Sequence, residues 1–71
     1  MLTLSRRLGE TVFIADEPFT VTCVLRNGIK IEDGNGNVFS CKLNQFVEVY
    51  PGCRLRLLGS QRRKARIQFD A

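Results

Sequence analysis

Two stretches of this chain alternate strictly between apolar and polar residues, Cys53-Arg54-Leu55-Arg56-Leu57 and Ala65-Arg66-Ile67-Gln68-Phe69-Asp70. A period of two is the pleat of a half-buried β-strand, whose successive side chains leave on opposite faces. Cys53, Leu55, Leu57, Ala65, Ile67 and Phe69 are therefore expected inward, and Arg54, Arg56, Arg66, Gln68 and Asp70 outward. Leu2 to Arg6 alternates in the same way. Thr11 to Ala15, Phe19 to Leu25, Ile29 to Glu32, Val38 to Leu43 and Phe46 to Tyr50 read as further strands, rich in Val, Ile, Thr and aromatic residues. Turn signals divide them: Gly9-Glu10, Pro18, Arg26-Asn27-Gly28, Gly34-Asn35-Gly36-Asn37, Pro51-Gly52 and a loop from Gly59 to Lys64. Asn27-Gly28 is expected to supply the positive φ angles of a tight hairpin. No window sustains a 3.6-residue period. Asn44 offers a cap for one helical turn, but Phe46-Val47-Glu48-Val49-Tyr50 favours extended chain. Residues 1–71 thus form one all-β domain of seven or eight short antiparallel strands, a small sheet or barrel-like unit.

At 71 residues, one hydrophobic core supplies only a few kcal/mol of net stability, so a further source is expected. The three cysteines, Cys23, Cys41 and Cys53, leave one unpaired, follow no signal peptide and point to a reducing cytosol. They read as small buried hydrophobes. With no histidine and no Cys-x-x-Cys pair, a closed zinc site lacks ligands, and no cofactor motif is present. Oligomerisation is the remaining source, so a homodimer is expected. No apolar run approaches the roughly 18 residues of a membrane-spanning helix. The expected setting is the cytoplasm, with no membrane partner.

The net charge of +4 is unevenly spread. Residues 1–17 carry two basic and three acidic groups, and residues 18–50 three of each. Residues 51–71 carry Arg54, Arg56, Arg62, Arg63, Lys64 and Arg66 against Asp70 alone. Such a block favours a polyanion. Catalysis finds little support: there is no histidine, no cysteine has a neighbouring base, and Glu10, Asp16, Glu17, Glu32, Asp33, Glu48 and Asp70 are scattered. Gly34-Asn35-Gly36-Asn37 opens no helix and has no following lysine, which makes it a hairpin turn and not a phosphate loop. Of Phe13, Phe19, Phe39, Phe46, Tyr50 and Phe69, at least four are expected in the core, leaving polyanion contact to arginines, backbone groups and an exposed leucine.

The N-terminus is more specific. Met1-Leu2-Thr3-Leu4-Ser5-Arg6-Arg7-Leu8-Gly9-Glu10-Thr11-Val12-Phe13-Ile14-Ala15-Asp16-Glu17 closely resembles the opening of the bacterial carbon storage regulator family, CsrA/RsmA, whose pattern is M-L-x-L-x-R-R-x-G-E-x-x-x-I-x-D. The resemblance implies a small β-protein whose two chains interlock into a symmetric dimer. It implies binding to GGA-containing loops of messenger or small regulatory RNA, and control of translation or message stability. Beyond Glu17 two alignments compete. In one, Leu55-Arg56-Leu57-Leu58-Gly59 and Arg66-Ile67-Gln68-Phe69-Asp70-Ala71 resemble the family's middle strands, V-x-V-L-G and V-R-I-G-I-x-A, and residues 18–50 are an insertion. In the other, Phe19 to Asp33 supplies the middle hairpin and Val38-Phe39-Ser40-Cys41-Lys42 the fifth strand. Lys42 then stands where the family has its RNA-binding arginine, without that residue's forked donor geometry.

Carried over by position, the resemblance nominates Leu4 and Arg6 for contacts to RNA bases and backbone, with Thr3, Ser5 and Arg7 flanking them. Arg54, Arg56, Arg62, Arg63, Lys64 and Arg66 are the candidates for phosphate. The leading expectation is a homodimeric RNA-binding regulator, with a protein antagonist as a further candidate partner. The alternative is a protein-interaction module that keeps the scaffold without RNA binding and antagonises a true regulator through mixed dimers.

Overall fold

A computed structural model describes residues 2–14 and 16–70; Met1, Ala15 and Ala71 of the N-terminal and C-terminal motifs lie outside the described residues. The alternating stretches become eight strands: β1 (Leu2–Arg7), β2 (Thr11–Ile14), β3 (Glu17–Leu25), β4 (Gly28–Asp33), β5 (Val38–Lys42), β6 (Phe46–Tyr50), β7 (Cys53–Gln61) and β8 (Lys64–Asp70). They form two antiparallel four-stranded sheets, ordered β1-β8-β7-β6 and β2-β3-β4-β5. Within each sheet chain neighbours pair, except that β1 lies beside β8, with Leu2 opposite Phe69 and Arg7 opposite Lys64.

The chain changes sheets at two corners. At the first, the Leu8 N–H donates to the Arg63 carbonyl at 2.8 Å, while the next N–H, that of Gly9, donates to Val21 of the other sheet at 2.8 Å. Gly9 has φ +87, a conformation open to glycine because it has no Cβ. At the second, the Leu43 N–H reaches the Asn27 carbonyl and the Asn44 N–H reaches that of Leu57, each at 2.9 Å. Asn44 turns the chain there with φ 62, a left-handed conformation that asparagine adopts more readily than most residues. The result is a sandwich joined along both sides.

Its interior is apolar. Val12, Ile14, Phe19, Val21, Ile29, Ile31, Cys41, Val49, Cys53, Leu55, Leu57, Ala65, Ile67 and Phe69 are buried, with Leu4, Val24, Phe39, Val47 and Tyr50 packed against them. All six residues expected inward on the last two strands are in this set. The stretch 18–50 is integral to the core, since Phe19, Val21, Ile29, Ile31, Cys41 and Val49 belong to it. The Cα radius of gyration is 10.5 Å, against about 11 Å for a compact chain of this length. Core burial by itself therefore does not call for a second chain. Among the described residues, no helix is long and apolar enough to cross a membrane.

Cys41 and Cys53 are buried and Cys23 half-buried, all three as free thiols. Burial pushes the Cys41 thiol above its ordinary range. Four of the six aromatic rings pack in or against the core: Phe19, Phe39, Tyr50 and Phe69. Phe13 and Phe46 are exposed.

Several turns differ from expectation. The hairpin between β3 and β4 pairs Leu25 with Gly28, so its two-residue loop is Arg26-Asn27, and none of Arg26, Asn27 and Gly28 has a positive φ. Gly28 serves a close approach instead, because a Cβ there would lie 3.2 Å from the Cys41 carbonyl oxygen. Pro18 does not bound β2 but sits within β3, opposite Phe13. It is tolerated because pairing with β4 begins only at Phe19, leaving no ladder N–H to supply. Leu43 lies beyond β5, in a single parallel bridge to Leu57. The expected loop from Gly59 to Lys64 is strand almost throughout, and only Arg62 and Arg63 form the turn. A register shift between Leu57 and Gly59 lets β7 run on to pair Ser60 with Ala65 and Gln61 with Lys64.

Candidate nucleic-acid interface

Because directly opposed residues of antiparallel strands share a face, the pairing register maps the outer surface of the β1-β8-β7-β6 sheet. One row runs Arg7, Lys64, Gln61 and the next Ser5, Arg66, Gly59. A third runs Thr3, Gln68, Arg56, Phe46 and a fourth Asp70, Arg54, Glu48. Five cations thus occupy one face, and Arg62 and Arg63 extend it at the hairpin tip. Glu48 and Asp70 are the carboxylates of these rows. Asp70 forms the one ion pair among the described residues, with Arg54 at 2.9 Å; both side chains are substantially exposed, so the pair contributes at most about 1 kcal/mol. The other cations of the face have no carboxylate partner among the described residues.

At the tip end the face deepens into an open cleft of 860 Å³, lined by Ser5, Arg7, Leu8, Gln61, Arg62, Arg63, Lys64 and Arg66 among others. Residue 59 is glycine, and a Cβ there would meet only open space. Ser60 points the other way and anchors the tip to the second sheet: its hydroxyl lies 2.7 Å from the Leu25 carbonyl and 2.8 Å from that of Arg26. Arg62 and Arg63 have φ 53 and 64. Positive φ at both turn residues matches the twist of the flanking strands, which is why Asn-Gly is favoured there. Two arginines hold it at a cost of about 1–2 kcal/mol each.

In the third row lies Phe46, 40 % exposed on an edge strand. The guanidinium carbons of Arg54 and Arg56 stand 4.8 and 4.9 Å from its ring centroid, within cation–π range. Beside it, Arg56 Nε and Gln68 Oε1, from directly opposed residues, are covered yet without hydrogen-bond partners. Counting aromatics toward the core passes over Phe46. Its signal is parity: Val47 and Val49 face inward, so Phe46 goes outward with Glu48.

The structure brings together Thr3, Ser5, Arg7, Arg54, Arg56, Lys64 and Arg66, with Arg62 and Arg63 at the edge. It separates them from Leu4 and Arg6. These pair with Ile67 and Ala65, whose side chains are buried, so Leu4 and Arg6 lie on the inner side of β1, both half-buried. The Arg6 Nη1 donates to the Ser5 carbonyl at 2.8 Å. Lys42 is on the other sheet, outward beside buried Cys41 and away from the cationic rows.

Comparison with family models, curated proteins and solved structures gives no match. What the face can hold follows from its own chemistry. Its cations are mostly exposed, have few competing carboxylates, and are spaced along a pleated surface that phosphates can follow.

Proposed function

We propose that this chain is a sequence-selective RNA-binding regulator of translation or message stability, and that it holds RNA on the outer face of the β1-β8-β7-β6 sheet. The observation that carries the reading is the convergence of Arg7, Arg54, Arg56, Lys64 and Arg66 on one face, with Arg62 and Arg63 beside them. Arginine and lysine are the residues that hold phosphate, and their contacts position a strand while neighbouring polar groups read its bases. The N-terminal resemblance supplies the candidate sequence, GGA in a loop of messenger or small regulatory RNA, with Thr3 and Ser5 on the face in place of Leu4 and Arg6. The proposed setting is the cytoplasm. A homodimer belongs to the same proposal: edge strands carry unpaired main-chain groups that a second copy can meet, and two faces on one particle raise avidity for RNA with two sites.

The test is a gel shift with an RNA hairpin carrying GGA in its loop, repeated with CCA and across a salt series. Tight, GGA-dependent binding is expected. With five phosphates neutralised, log affinity falls with log salt at a slope of about −3.5. Arg66→Ala is expected to weaken binding by roughly tenfold, and Arg6→Ala to leave it nearly unchanged. Weak binding indifferent to the loop sequence would replace this reading with that of a protein-interaction module.

A further inference from the structure

Phe46 is the aromatic residue that shares a face with the cations, whereas the other exposed ring, Phe13, lies on β2 of the opposite sheet. We infer that Phe46, framed by Arg54 and Arg56, is a stacking subsite for an unpaired nucleobase, so that the ligand of the basic face is single-stranded or looped RNA and not a duplex. The inference rests on the RNA reading above and specifies what the face takes.

Three observations lead to it. An aromatic ring and guanidinium planes are the surfaces on which splayed-out bases stack, and here each guanidinium carbon stands less than 5 Å from the ring centroid. A paired base hides its faces inside the helix, so such a platform has no use for a duplex. Next to the ring, Arg56 Nε and Gln68 Oε1 are covered and lack hydrogen-bond partners in the free protein, so a shift of these two side chains on binding would offer a base edge one donor and one acceptor. Finally, the ring lies opposite the middle of β7 and the cationic tip at its end. Arg62 stands six positions beyond Arg56, the residue opposite Phe46, roughly 20 Å along the strand. That span suits several nucleotides, with a base held at one end and phosphates gripped at the other. A purely structural role would give Phe46 only the task of covering the aliphatic stems of the two arginines. An aliphatic replacement would serve that purpose equally well.

The chain has no tryptophan, so Phe46→Trp places a single reporter in the platform. The experiment titrates wild type, Phe46→Trp and Phe46→Leu with a GGA hairpin-loop RNA and with a fully paired duplex of the same sequence. The expected result is strong quenching of the introduced tryptophan's emission by loop RNA and little by duplex. Phe46→Leu should bind the loop about 5- to 150-fold more weakly while melting at nearly the wild-type temperature. Wild-type affinity in Phe46→Leu without quenching in Phe46→Trp would overturn the stacking subsite and leave the phosphate face standing. Failure of wild type to bind either RNA would overturn both.

Discussion

Asp33 shows how much one exposed carboxylate organises. Its Oδ1 accepts the N–H groups of Asn35 and Asn37, each at 2.9 Å, and its Oδ2 accepts from the Asn37 side chain at 3.0 Å. The Asn37 side-chain bond leads in holding the Asp33 carboxyl below its ordinary value of 3.8, with the backbone donors adding to it. A carboxylate with a depressed folded pKa stabilises the fold above the unfolded value, and that contribution is lost as pH falls through the folded one. Asp33→Asn is therefore expected to lower the melting temperature at pH 7 and to remove part of the stability loss below about pH 4. Thermal melts from pH 7 to pH 2.5 check this; parallel curves for the two proteins would contradict it. An acid beside a turn is ordinary in sequence. What makes this one structural is three donors converging from two asparagines, which depends on the loop's actual path.

At the scale of elements, the β7–β8 hairpin sets fold against binding. An Arg-Arg turn with both φ angles positive is costly, and Asn-Gly adopts the same geometry without that cost. Replacing Arg62 by Asn and Arg63 by Gly together is expected to stabilise the protein by roughly 1–2 kcal/mol, or about 4–8 °C in Tm per kcal/mol for a chain of this size. The same change removes two cations from the cleft, so RNA affinity should fall as Tm rises. Calorimetry and the salt-series gel shift together measure the opposed effects. A rise in Tm with unchanged affinity would give the tip no part in binding. The strands themselves were legible, because period-two alternation fixed which side of β7 and β8 is buried. The hairpin tip was not. It has no glycine at the turn, and its register depends on a bulge near Leu58 and on Ser60 reaching carbonyls more than thirty residues away.

At the scale of the molecule, the candidate site is assembled by one long-range pairing. The cationic run of residues 51–71 was visible in the sequence, and alternation put Arg54, Arg56 and Arg66 on one side. Arg7 joins them only because β1 lies beside β8, and the same parity sends Arg6 to the other side. A linear motif names both arginines without showing which faces the cations. Lys42 was likewise legible as a basic residue at a motif position, but the corner at Asn44 places its strand in the other sheet.

The central claim is that RNA lies on the outer face of the β1-β8-β7-β6 sheet. Amide shift mapping during titration with the GGA hairpin tests it most directly. The perturbed amides are expected to cluster on β1, β6, β7, β8 and the Arg62-Arg63 turn, with β3 to β5 little changed. Perturbations centred on β5 around Lys42 would contradict it.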